Sequence, residues 1–438
     1  MKYILFALIG GLAAMMANQG VAVFNDGFRP FVGQYFNKQI SRKVLATMSF
    51  AISFGLVIGF GIPTSLAGNV ILAHSVLLAT DIIGTVFPDD KKGLVLSGIV
   101  GAAYGALLIF GLQAIVDLFA KLPYDFTQQL GSISTYIVGA FAIFPAVAVG
   151  LQHGFKKGMI SGGLTVLTFF LIKKFGTFAV KDATISLSAE GMSMLVGMIT
   201  LIYFAASQKS EEKSSATSDL ASSFSQNVSR IRKNVVPMAI LGGLLSIAAS
   251  EALLAGDPTS LSLIAEGKAF EASITAFARA IGFIPLVFTT SIVTGVYGSA
   301  GITMIYAAAF LLQGKPIVAF IVGALIIVLE VFLINAFAKL MDKFPGVKEM
   351  GEHIRTSMNR VLEIAMLAGS ILAAEAMSST AAGFGGIGAL FVIGSYLLNK
   401  QSKKPIVDVA VGPVAAIIFG IILNILLVIG LITLPVAA

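Results

Sequence analysis

Apolar runs as long as a bilayer is thick recur along this chain from end to end, and no other feature constrains its fold as tightly. An α-helix needs about 20 residues to cross the hydrocarbon core. In hydrocarbon every backbone N–H and C=O must be satisfied inside the protein. Continuous apolar runs of this length meet that demand as helices. Polar breaks divide the first half into stretches at 3–24, 44–63, 65–87, 93–119, 133–152, 158–175 and 189–207. The second half divides into 234–255, 272–289, 291–312, 316–340, 358–379, 382–398 and 406–436. The expected class is an all-α polytopic transmembrane protein of about 14 spans. Charged residues are only 12% of the 438, about half the share that keeps a soluble domain wet. The segment after Met1-Lys2 has no small-residue cleavage site and is expected to stay as the first helix. No cysteine is present, which excludes disulfides, thiolate metal ligands and a thiol nucleophile.

The basic residues supply an orientation. Lys and Arg gather in alternate loops: Arg29 to Lys43, Lys91-Lys92, Lys156-Lys157, Lys209 to Lys233, Lys339 to Arg360, and Lys400 to Lys404. Such residues concentrate on the cytoplasmic side, so these loops are expected inside and both termini outside. The net charge of +7 is then a topology signal facing anionic lipid, with no nucleic-acid partner implied. The Ser-rich segment 208–233 reads as a cytoplasmic linker between a first transmembrane repeat, 1–207, and a second, 234–438.

The two halves match each other. At an offset of 222 residues, Ile99-Val100-Gly101-Ala102 falls on Ile321-Val322-Gly323-Ala324, and ten of the 25 positions from Ile99 to Pro123 are identical to their counterparts. The same offset places Ile62-Pro63 on Ile284-Pro285. A duplication with seven spans per half makes the second half enter from the opposite side. That is the inverted-repeat plan of many secondary transporters, whose substrate lies where the repeats meet; some channels share the symmetry.

The matched Ile-Pro positions lead into the most polar membrane stretches. The first holds Pro63, Thr64, Ser65, Asn69, His74 and Asp81; the second holds Arg279, Pro285, Thr289, Thr290, Ser291 and Thr294. Proline frees a backbone carbonyl, and broken helices bind substrate or ions through such groups and nearby hydroxyls. These residues, His74 apart, are the candidate substrate and ion site; the alternative is ordinary proline kinks satisfied by Ser and Thr. His74 reads as a hydrogen-bonded structural histidine rather than a proton relay. Arg279, a cation inside a span, needs a partner: a substrate anion, or an acid among Asp81, Glu251, Glu330, Glu363 and Glu375. Asp81, Glu330 and Glu363 are the candidate coupling or partner acids. The segment Phe24 to Phe31 reads as an interfacial helix held by anionic lipid and capped by Asn25 or Asp26, or as a gate closed by Asp26 and Arg29. No spacing of His, Asp or Glu marks a metal site, and no nucleophile elbow appears, so neither a metal, a cofactor nor catalytic residues are expected.

The chain resembles the YhfT-type bacterial inner-membrane proteins, described as predicted transporters. The resemblance is carried by AVFNDGFRP at 22–30, LATDIIG at 78–84, LPYDF and VGAFAIFPAVAV within 122–149, FARAIGFIPLVFTTSIVTGVYG at 277–298 and IRTSMNRVLEIAMLAGSILAA at 354–374. It implies a multi-pass protein of the bacterial inner membrane with a transport role, and it brings no substrate. The expectation is a secondary active transporter of a small polar solute, an anion if Arg279 faces the cavity, coupled to H+ or Na+ and working by alternating access. By fold analogy it is elevator-like, with a homodimeric scaffold in membrane lipid. A passive channel, or a membrane-embedded enzyme acting on a lipid-linked substrate, are the alternatives.

Overall fold

A computed structural model describes residues 2–434 except 26, 58–60, 63, 64, 66–69, 127, 128, 131, 132, 181, 182, 188, 208–225, 299–302, 342–344, 382–384, 404, 406 and 407. Its first half runs α1 (Lys2–Asn18), β1 (Ala22–Val23), α2 (Arg29–Phe36), α3 (Arg42–Leu56), β2 (Ile71–Leu72), α4 (Ala73–Val86) and α5 (Lys91–Ala120). It continues through α6 (Ile133–His153), α7 (Phe155–Phe175), a hairpin of β3 (Thr177–Val180) and β4 (Ala183–Ser186), and α8 (Ala189–Ala206). A short helix α9 (Gln226–Lys233) precedes α10 (Val235–Ser250). Then come β5 (Leu254–Ala255), α11 (Pro258–Ala265), α12 (Ala269–Thr294), β6 (Tyr297–Gly298), α13 (Thr303–Phe310), α14 (Pro316–Met341), α15 (Pro345–Ala381), α16 (Ile387–Gln401) and α17 (Asp408–Val428).

The protein is mostly helical, and each of the fourteen apolar stretches carries a helix. Among the described residues, five helices are long and apolar enough to cross a membrane. They lie within α5, α7, α14, α15 and α17; α9 with α10, bent by 57°, adds a sixth if the two form one span. Their outward faces carry large apolar side chains such as Phe155, Phe170, Leu325 and Phe332. Such surface is stable against lipid and not against water.

The helices pack in two sets. In one, α1 lies along α4, α5 and α10, and α10 lies along α13 and α14. In the other, α6, α7 and α8 pack together, α15, α16 and α17 pack together, and α6 joins α15. Helix α3 reaches from α4 to α17, and α12 from α13 to α8. The glycines of the matched tetrads explain the closest of these approaches. A Cβ on Gly11 would come within 3.0 Å of the Gly98 carbonyl, and Gly101 packs on Gly10 in the same seam between α1 and α5. A Cβ on Gly323 would meet the Gly242 carbonyl at 2.6 Å, where α14 crosses α10. Small residues let helix backbones approach in a membrane.

Inside the first set the chain leaves helical geometry, and its freed backbone groups find partners. Strand β1 pairs in parallel with β6, Ala22 opposite Tyr297 and Val23 opposite Gly298. Strand β2 pairs in parallel with β5, Ile71 opposite Leu254 and Leu72 opposite Ala255. Each of these breaks is therefore closed by a strand of the other half.

Three expectations are corrected here. Helix α12 runs unbroken through position 285 and beyond 289–291, so the break expected at Pro285 falls after Thr294, where Gly295 takes a left-handed φ of 68°. The last eight residues of the expected linker form α9. The segment Phe24 to Phe31 is packed into the protein: Phe24, Phe28 and Arg29 are buried. Helix α2 is capped by Phe28 without a side-chain bond, while Asn25 accepts from the Gly27 N–H at 3.0 Å. A lipid-surface helix would leave these side chains exposed.

Candidate functional site

Two polar centres form where the strands cross. At the β1–β6 crossing the extended chain turns its N–H groups toward α4. Asp81, fully buried, accepts from Phe24 N at 3.0 and 2.9 Å and from Asn25 N at 2.8 Å. Asn25 donates to Ser53 Oγ at 3.1 Å, tying in α3. Arg29, with no exposed surface, donates from Nη1 to Thr290 Oγ1 on α12. Its guanidinium lies where a side chain at 298 would go, so with Arg29 in this position the strand takes glycine there. Neighbouring Tyr297 donates its phenol O–H to Glu330 Oε2 on α14. Ser291 Oγ is buried and has no hydrogen-bond partner among the described residues. Thr294 donates to the Thr290 carbonyl at 2.7 Å.

Helix α9 fastens the end of α12. Arg230 donates to the carbonyls of Gly295 at 3.1 Å and Thr294 at 2.9 Å, and Asn227 Nδ2 donates to Ile292 O at 3.1 Å. Free C-terminal carbonyls favour such cationic donors. The Arg230 guanidinium also lies over the Phe36 ring, 3.9 Å from its centroid.

At the β2–β5 crossing, Ser65 Oγ sits among the Gly61 carbonyl at 2.6 Å, Ser75 Oγ at 2.9 Å and the Leu72 N–H at 2.8 Å. Asp257 caps α11, accepting from Ser260 N at 2.9 Å and Ser260 Oγ at 2.7 Å. It also pairs with Arg279 Nη1 at 4.0 Å, both side chains largely buried. His74 lies within electrostatic reach of Arg279 and Asp257.

The Arg279 partner seen here is thus Asp257, which was not among the acids expected from the sequence. Asp81 instead holds backbone N–H groups. Glu363 accepts from Tyr396 at 2.5 Å and lies 3.8 Å from Lys400, in neither centre. Glu375 accepts from Gly386 N at 2.6 Å, at the start of α16. Of the other candidates, Thr290, Ser291, Thr294, Glu330 and Arg29 gather at the first crossing, and Ser65 and Arg279 at the second. Asp26, Pro63, Thr64 and Asn69 lie outside the described residues, as do the side chains of Pro285 and Thr289. Sequence reasoning missed Asp257 and Tyr297. Asp257-Pro258 is a helix-start signal, but it stood in a short polar break. Tyr297 lay at the end of the segment 277–298 without a charge to mark it.

The family model "YhfT: Protein of unknown function" matches residues 2–432. The "Uncharacterized protein YhfT" of Escherichia coli (strain K12) is 32% identical over 446 residues, covering 98% of this chain and 98% of that protein. No solved structure matches.

Proposed function

The chain belongs to the YhfT family, and we propose that it is a secondary active transporter moving a small polar, anionic solute by alternating access. One observation carries this reading. A buried guanidinium, three hydroxyl side chains and a carboxyl (Arg29, Thr290, Ser291, Tyr297, Glu330) gather where a strand of one half meets a strand of the other. Intramembrane polar groups of this kind are expensive, and they mark solute or ion paths. Arg29 with Thr290 and Ser291 suits a carboxylate or phosphate oxygen, a role the sequence suggested for Arg279.

The inverted-repeat reading draws support from order and packing. Apart from the β3–β4 hairpin, which has no described counterpart, elements α1-β1-α2-α3-β2-α4-α5-α6-α7-α8 correspond in order to α10-β5-α11-α12-β6-α13-α14-α15-α16-α17. Exchanging the halves turns the β1–β6 pair into β5–β2, and the α1–α5 contact into α10–α14. Fourteen spans, a cytoplasmic α9 and one helix set moving against the other belong to the same proposal. A homodimeric scaffold and an inner-membrane location with outside termini also belong to it.

Reconstituted protein tests the reading with radiolabelled small carboxylates and phosphate esters. A carrier gives saturable uptake, counterflow and dependence on a proton or sodium gradient. Arg29→Lys, which keeps the charge but loses the planar fork, is expected to cut uptake at least about tenfold. Non-saturating flux that ignores gradients would make the protein a channel.

A further inference from the structure

We propose that Glu330 is the residue that binds and releases the coupling proton, at a site closed by Tyr297 on one side and an apolar groove on the other. The word coupling rests on the carrier reading above; proton binding rests on the geometry alone. Glu330 is 8% exposed and its hydrogen-bond partner is the Tyr297 hydroxyl. It forms no ion pair among the described residues.

Its other side faces a groove of about 460 Å³ between α12, α13 and α14, walled by Phe277, Val287, Phe288, Met304, Leu329 and Leu333. Phe277 and Leu329 are 50% and 58% exposed, so the groove opens on the outer, bilayer-facing surface. A carboxylate charge held there has the Tyr297 hydroxyl as its partner and a wall that is apolar but for Ser273, which is costly. A proton on a carboxylate oxygen removes that charge. Hard cations such as sodium need a shell of several oxygens. Beside the carboxyl stand the Tyr297 hydroxyl and, in the groove wall, the Ser273 hydroxyl, which already donates to the Ala307 carbonyl at 2.5 Å. The donor set suits a proton.

Among the described residues no ionisable group other than Tyr297 bonds or pairs with Glu330. Helix α10 carries none between Val235 and Ser250. On α12, Arg279 pairs with Asp257 and Glu271 lies in the first turn. On α13, Tyr306 lies in the field of Asp257. On α15, Glu363 bonds Tyr396, and His353 lies near His153. Tyr297 also connects the site to the anion centre, because it sits on β6 beside Gly298, against which Arg29 lies. An ionised Glu330 only accepts from Tyr297, whereas a protonated one can donate to it. The proton therefore changes the hydrogen bonding of a residue next to Arg29.

Dicyclohexylcarbodiimide, an apolar reagent selective for protonated carboxyls in apolar surroundings, tests the site in the full chain in liposomes without any solute. The carboxyl proton passes to a carbodiimide nitrogen as its oxygen bonds the central carbon, and acyl migration leaves a stable N-acylurea. Mass spectrometry is expected to find this adduct on Glu330 at low pH. Labelling should fall about tenfold for each pH unit above the site's titration, indifferent to sodium. In Tyr297→Phe, which takes a hydrogen bond from the carboxylate, labelling should persist at pH values where the wild type has lost it. An acid-minus-alkaline infrared spectrum gives a second reading: a protonated-carboxyl band present in wild type and lost in Glu330→Gln. Absence of both adduct and band, or labelling blocked by sodium at constant pH, overturns the proposal. Gradient-driven uptake without adduct or band removes this site alone. Adduct and band without uptake of any solute remove the carrier reading and leave the proton site standing.

Discussion

An arginine with no exposed surface is held only where every neighbour accommodates it. Arg29 lies on Gly298 and donates to Thr290, so the backbone at 298 is as much part of its site as the hydroxyl. Gly298→Ala puts a methyl group where the guanidinium is. The expected result is a loss of about 1–3 kcal/mol from overpacking, read as a lower unfolding temperature in detergent and weaker anion binding. An unchanged temperature would place the guanidinium elsewhere. The sequence drew attention to Arg279 because it stood inside an apolar run, and it offered Arg29 as a gate residue beside Asp26 rather than as the buried cation. The cost of a buried cation says that a partner is needed; it does not say which. Asp257 is 22 residues from Arg279 in the chain, while Thr290 is 261 residues from Arg29.

At the scale of elements, helices follow from local composition, and their breaks follow from what can satisfy the backbone. Pro285 looked like the break in α12, yet the helix continues past it and ends at Gly295, whose left-handed conformation suits a residue without a side chain. The decisive help comes from α9, a helix the sequence hid in a polar linker, through Arg230 and Asn227. Arg230→Ala removes two hydrogen bonds from the carbonyls of Thr294 and Gly295. The expected cost is about 1–3 kcal/mol. Faster amide exchange from Val296 to Gly298 should accompany it, because that segment hangs on the end of α12. Unaltered exchange there would mean that α9 merely rests on the site helix. The matched Ile-Val-Gly-Ala tetrads have a visible use at this scale. Gly101 and Gly323 each let a long helix approach the first helix of its own half.

For the whole molecule, the absence of cysteine permits a clean test of the proposed orientation. Single cysteines placed within 208–225 are expected to react with a membrane-impermeant maleimide only after the cytoplasmic face is opened. Cysteines in the Thr177–Ser186 hairpin are expected to react from outside in intact cells. The reverse pattern would invert the assignment, and equal reactivity at both would end it. The solvent is what the sequence determined by itself. Apolar length and scarce charge are sums over neighbouring residues, and they place helices in a bilayer whatever the later packing. The matched positions of the two halves were legible for the same reason, since they need only a count along the chain. Tertiary structure alone decided that β1 meets β6 and β2 meets β5, that Asp81 serves backbone N–H groups, and that Arg279 finds Asp257. Those pairings join groups that every partner in an apolar interior would welcome, and only the geometry of the packed helices selects one.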